Sequence, residues 1–184
     1  VKPKKQETEE PAAEYLLVDG YNIIFSWDEL NELAKIDMGA ARLALMDILS
    51  NYQGFKGCVL ILVFDAYKVE GYQGEVQKYH NIYVVYTKEA ETADQYIEKT
   101  VLRIERRRRV TVATSDGIEQ LIIMGQGALR LSAKGLREEI ETATRQLHRE
   151  FLNRPQGMRS YLFQNVPKEL MEKLEQMRLG NDKK

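Results

Sequence analysis

Apolar residues fall in short blocks that stop on acidic or glycine positions. Tyr15 to Val18 runs into Asp19-Gly20, Cys58 to Phe64 runs into Asp65, and Val110 to Thr114 runs into Ser115-Asp116-Gly117. Near-continuous apolar blocks of this length are the pattern of strands buried on both faces, and the Asp-Gly pairs that follow read as tight turns. Ile82 to Tyr86 is β-rich in the same way, and Ala128 to Ser132 suits a last strand. Between the blocks the period changes. Gly39 to Tyr52 places Ala41, Leu45, Ile48 and Leu49 at helical spacing before Gly54 and Gly57. After a polar stretch containing Gly71 and Gly74, Thr92 resembles the N-cap of a helix reaching about Arg108. A short helix is expected from Ile118 to Met124 and a long charged one from Ala133 to Leu152. Strands alternating with helices imply βαβ units, hence an α/β class with three layers around a mostly parallel central sheet.

Length and composition fit one well-cored domain with flanking segments: the chain has 184 residues, 43% of them hydrophobic and 30% charged. Residues 1–13 mix Lys, Glu and Pro and read as a disordered linker or the start of a fragment, with an upstream domain in a longer protein. They hold no apolar signal region. The domain is expected over residues 14–152. Residues 153–184 form a C-terminal extension with a short helix after Pro167. No run approaches the ~20 apolar residues of a membrane helix. The lone cysteine, Cys58, reads as a small buried hydrophobe, and a chain without an internal disulfide fits the cytoplasm.

Net charge is −1, but the charge is segregated. Residues 1–102 carry 10 basic and 17 acidic side chains, whereas residues 103–160 carry 12 basic and 7 acidic ones. The basic part suits phosphate and the acidic part suits cations. Three strands each end on an aspartate, Asp19, Asp65 and Asp116, and in a parallel sheet all strand C-termini lie along one edge, where ligands bind. Glu91 and Asp94, three apart in ETADQYIEK, are placed on one face of the first turn of a helix. Gathered carboxylates repel one another unless a divalent cation sits among them, and ligands that are all oxygen favour Mg2+ or Mn2+. Aspartates after strands are also ordinary turn formers and helix caps. Asn22 adds an oxygen ligand or a phosphate donor to Asp19. His80 and His148 are the only histidines, and no Ser-His-Asp or HExxH arrangement is present.

The motifs VDGYN at 18–22, VFDA at 63–66, ETAD at 91–94, ATSD at 113–116 and GQGALRLSA at 125–133 together resemble the NYN domains of the PIN-like superfamily, within it the YacP-like bacterial branch. The resemblance implies a PIN-like fold and a metal-dependent endoribonuclease acting on single-stranded RNA with Mg2+ or Mn2+. The branch includes an enzyme that cleaves messenger RNA on the ribosome, so RNA and the ribosome are the partners implied. By motif matching, Asp19, Asp94 and Asp116 correspond to the catalytic metal-site positions. Asp65 joins them as a further metal position, and Asn22, Glu91 and Ser115 support them.

The basic residues divide by position. Arg106 and Arg107, within the run Arg106 to Arg109 that follows Arg103, are expected at the far end of the helix that begins near Asp94, away from the acidic edge. There they complement the helix dipole or touch RNA. Arg130 and Lys134 flank a glycine-rich turn. Arg130 stands where a third glycine of GxGxxG belongs, which excludes a dinucleotide fingerprint. Tyr21 and Phe25 flank the acidic turn as candidates for stacking on unpaired bases, with core packing the commoner fate. Two rival readings remain. One is a catalytically silent RNA- or ribosome-binding module, of the kind appended to translation GTPases. The other is an aspartyl phosphotransferase, disfavoured because Gly20-Tyr21 breaks the DxD pattern.

Overall fold

The computed structural model describes residues 14–65, 74–88, 90–104, 108–117, 125 and 127–153. The expected linker at 1–13, the short helix at 118–124, Arg106 and Arg107, and the extension beyond 153 lie outside the described residues. The chain divides into two compact units, Val1–Thr144 and Arg145–Lys184. The second contributes only the last turns of one helix to the described residues.

Strand β1, Tyr15–Asp19, leads directly into helix α1, Gly20–Ser26. The turn expected at Asp19-Gly20 is therefore a helix start. The Asp19 side chain caps it by accepting from the Asn22 amide, which satisfies one of the donors that every helix N-terminus leaves open. Gly20 permits this abrupt transition, since a Cβ there would lie 2.2 Å from the Phe64 ring. Helices α2, Asp28–Ile36, and α3, Met38–Lys56, follow. Asp37 caps α3 through the amides of Gly39 and Ala40, and Gly57 ends it in the left-handed conformation at φ 71°.

Strand β2 is Val59–Phe64, and β3, Val76–Tyr79, forms a hairpin with β4, Ile82–Tyr86. Helix α4, Ala93–Arg103, opens on a complete capping box built by Thr92 and Gln95. It ends at Arg103, short of the expected Arg108. Continuing it would stack Arg103, Arg106 and Arg107 at i,i+3 and i,i+4 spacing, where like charges repel. Strands β5, Val110–Ala113, and β6, Leu129–Leu131, precede helix α5, Ala133–Asn153.

The six strands lie in the order β3-β4-β2-β1-β5-β6, all parallel except β3 against β4. This is the mostly parallel α/β sheet expected from the apolar blocks. Because side chains alternate across a strand, Leu16, Val18, Leu60, Leu62, Phe64, Ile82 and Val84 face one way. They pack with Ile23, Ile24, Leu45, Leu49 and Leu136, from α1, α3 and α5. Leu17, Val63, Val85 and Val112 face the other way, against Ala93, Ile97 and Val101 of α4. Burying each such aliphatic side chain contributes about 1.5–3 kcal/mol, so both helical layers are fixed to the sheet by apolar area. Trp27 ties the α1–α2 junction to the start of α5, its Nε1 donating to the Ala133 carbonyl at 2.9 Å. Cys58 is buried and unpaired in a disulfide, and burial pushes its thiol up, away from the reactive thiolate. Among the described residues no helix is long and apolar enough to cross a membrane.

Candidate active site

After β1 the chain builds β2, the edge strand β3 and then β4 between them, all on one side of β1, and returns on the other side to form β5 and β6. The direction of winding thus reverses between β1 and β5, and the carboxyl ends of these two strands form the switch point at which open α/β sheets bind ligands. Asp19 ends β1, and Thr114-Ser115-Asp116 directly follows β5. Strand parity decides which side of the sheet the acids reach. Asp19 shares the face of Tyr15 and Leu17, and Asp65 shares that of Ile61 and Val63, so both stand on the side covered by α4. Asp94, in the first turn of α4, comes down onto the same corner.

Asp19 is 4% exposed. One carboxylate oxygen accepts from the Asn22 amide at 3.1 Å and the other from Asn22 Nδ2 at 2.8 Å. Ser115 Oγ donates to Asn22 Oδ1 at 2.6 Å, so a β5-end hydroxyl orients the amide that orients the β1-end carboxylate. Asp65 accepts from the Ala93 amide at 2.6 Å and so fixes the N-terminus of α4 against β2. Thr114, fully buried, accepts from the Asp116 amide through its hydroxyl at 3.1 Å and sets the turn that carries Asp116. Thr114 was not singled out from the sequence; its signal was its place between an apolar strand and the aspartate.

The carboxylates influence one another electrostatically. Burial, then the negative charges of Asp19 and Asp116, a hydrogen bond to Asp19, and the charge of Asp65 push Asp94 up to about 6. Burial also raises Asp19, against the opposing effect of the two Asn22 hydrogen bonds and of the Asp94 hydrogen bond, with Asp65 repelling it further. Burial and their neighbours thus raise both carboxyls above the ordinary carboxylate range. Among the described residues, no three His, Cys, Asp or Glu side chains are drawn close enough to enclose a metal ion as they stand.

Other expected residues are placed differently. Glu91 precedes the Thr92 cap instead of sharing a helical face with Asp94, and it accepts from Lys99 Nζ at 2.7 Å. Tyr21 is 4% exposed, packed edge-on against Phe64, so its ring belongs to the core and is no platform for a base. Phe25, stacked on Tyr21, is 47% exposed. Arg130 lies exposed on edge strand β6, and Lys134, exposed in the first turn of α5, is 3.8 Å from Glu138. Arg137 forks onto Glu29 at 2.6 and 2.8 Å and takes a structural role between α5 and α2.

Residues 16–179 match the family model of the YacP-like NYN domain. The uncharacterized protein YacP of Bacillus subtilis (strain 168) is 44% identical over 135 residues, which are 73% of this chain and 79% of that protein. The crystal structure of Rae1 (YacP) from Bacillus subtilis is 37% identical, with a TM-score of 0.69 over 91% of this chain and 96% of the other. A Trp-to-Leu variant of it is 41% identical, with a TM-score of 0.65 over 74% and 80%. These likenesses are consistent with a nuclease-like role on RNA, and they make the chain a member of the YacP-like NYN domain family.

Proposed function

We propose that the chain is a metal-dependent endoribonuclease that cuts single-stranded RNA at the edge where Asp19, Asp65, Asp94 and Asp116 meet, with messenger RNA on the translating ribosome as its natural substrate. The observation that carries the reading is the position of these acids at the carboxyl ends of β1, β2 and β5 and the start of α4, where burial, and after it the charges of Asp19, Asp116 and Asp65, push Asp94 up to about 6. A donor set of oxygens that resist ionising together fits a divalent cation, which would balance their charge. Asp19, Asp94 and Asp116 would hold Mg2+ or Mn2+, with Asp65 at the margin. The ion, when bound, supplies a water of lowered pKa and neutralises charge at the leaving oxygen. Asn22 presents both oxygens of Asp19 in a fixed orientation, and Ser115 holds Asn22 in turn. Asp65 and Thr114 keep α4 and the Asp116 turn in place. The ribosomal setting is supported by the family resemblance, and the cytoplasm by a lone buried Cys58 without a disulfide.

A second reading, a catalytically silent RNA-binding module, is favoured by one observation. The acids are engaged in capping and hydrogen bonding, and no three of them form a closed grip among the described residues. Cleavage separates the two. Wild type, Asp19→Asn and Asp94→Asn are incubated with naked single-stranded RNA and with translating ribosomes in Mg2+, Mn2+ or EDTA. The expected result is cleavage by wild type with metal and its loss in EDTA and in both variants. Cleavage that survives EDTA and both substitutions sinks the metal mechanism, and wild type that cuts neither substrate leaves the binding module.

A further inference from the structure

We propose that Lys88 takes a phosphate of the RNA next to the scissile one, so that the strand runs along the carboxyl edge of the sheet from the acids toward β4. The inference rests on the RNA-cleaving reading above. Lys88 follows β4 at that edge. The Thr87 amide donates to the Phe64 carbonyl at 3.0 Å, which continues the β2–β4 register and sets Thr87 beside Asp65. The Lys88 Cα, one step further along, then lies roughly 6–8 Å from that of Asp65. The Lys88 carbonyl accepts from the Glu91 amide at 2.9 Å, and two residues on, the Ala93 amide donates to Asp65. Lys88 thus opens the turn that Asp65 closes, directly ahead of α4 and Asp94.

A lysine next to crowded carboxylates ordinarily folds back onto one of them. Lys88 is held away from that by its seat. Its carbons lie along Gly74: a Cβ built on Gly74 would meet Lys88 Cγ at 3.2 Å and Cε at 3.6 Å, and a glycine at φ 71° keeps that space open. Gly74 is itself fixed, since its amide donates to the Thr87 carbonyl at 3.0 Å. Glu91, the nearest described carboxylate along the chain, is taken by Lys99 Nζ at 2.7 Å. Among the described residues Lys88 forms no ion pair, and it is exposed. The fold therefore keeps a compact positive charge open to solvent on the β4 side of the acids, where a backbone leaving the acidic corner along the edge must pass. A phosphodiester carries the charge this ammonium lacks, and lysine binds phosphate as a point charge. Such a contact positions the strand and reads no base.

The test uses the full chain and a fluorescein-labelled single-stranded RNA, with anisotropy read in EDTA across a salt series. Lys88→Gln should weaken binding about threefold or more at low salt and flatten the plot of log affinity against log salt by about 0.7, the share of one phosphate on a single strand. Lys88→Arg, which keeps the charge, should bind within about twofold of wild type. Lys56→Gln makes the same charge change at the end of α3, ahead of β2 and so at the opposite edge of the sheet, and should keep the wild-type slope. With Mn2+, Lys88→Gln should raise the RNA concentration giving half-maximal single-turnover rate more than it lowers the limiting rate. A wild-type slope in Lys88→Gln overturns the proposal. So does an equal change in Lys56→Gln, which would mean net charge and not a local contact, and so does absence of RNA binding by wild type. Cleavage with Mn2+ by a wild type whose salt slope ignores Lys88 would sink the phosphate contact and leave the nuclease reading standing. A slope that depends on Lys88, in a wild type that cuts nothing, would do the reverse.

Discussion

At the residue scale, the site is a problem of crowded negative charge. Asp94 has its carboxyl raised to about 6, by burial and by the acids around it, from an unfolded value of about 3.9. A raised carboxyl binds its proton more tightly in the fold than in the unfolded chain. It therefore stabilises the metal-free protein below about pH 4, and that contribution is lost as pH rises through about 6. Asp94→Asn removes the repulsion and keeps a hydrogen-bond donor toward Asp19. Thermal melts in EDTA should show this variant more stable than wild type at pH 7, with the difference shrinking toward zero at pH 4. A variant less stable than wild type at pH 7 would mean that the carboxylates do not repel in the fold. Stability gained at the expense of activity is the expected signature of a functional cluster.

At the element scale, what holds the acids in register is helix capping. Asp19 caps α1, and Asp65, at the end of the adjacent parallel strand, accepts from the first amide of α4, which Thr92 caps, so each strand end also fixes the helix beside it. Asp65→Ala should lose about 1 kcal/mol, seen as a fall in Tm of about 2–4 °C, whereas Asp65→Asn keeps an acceptor for the Ala93 amide and should melt like wild type. Equal loss in both variants would show that the negative charge, not the cap, is what α4 needs.

The same scale explains what could be read from the sequence. Buried strands announced themselves as apolar blocks, and Thr92 announced α4, because burial on both faces and capping leave local marks. Strand β3 was missed because an antiparallel edge strand with one wet face, VQKY, carries no apolar run. Helix α1 was missed because Asp-Gly after a strand signals a turn, and only the Phe64 ring, 44 residues away in sequence, explains why a glycine is needed there. The three strand-end acids were legible from position alone. The fate of Tyr21 was not, since an aromatic after an acidic turn reads alike whether it faces solvent or core, and the partners that bury it come from β2 and α3.

At the scale of the described sheet, strands wound in two directions from β1 set one switch point, and strand parity delivers Asp19 and Asp65 to the face where α4 brings Asp94. The claim that these acids form one cation site is tested most directly by calorimetric titration of Mn2+ into the metal-free chain at pH 7. The account predicts a saturable binding heat in wild type that disappears in Asp19→Asn. In Asn22→Ala, where only the orientation of Asp19 is lost, binding should weaken about 10–100-fold. No binding heat in wild type, or the same isotherm in Asp19→Asn, would contradict it.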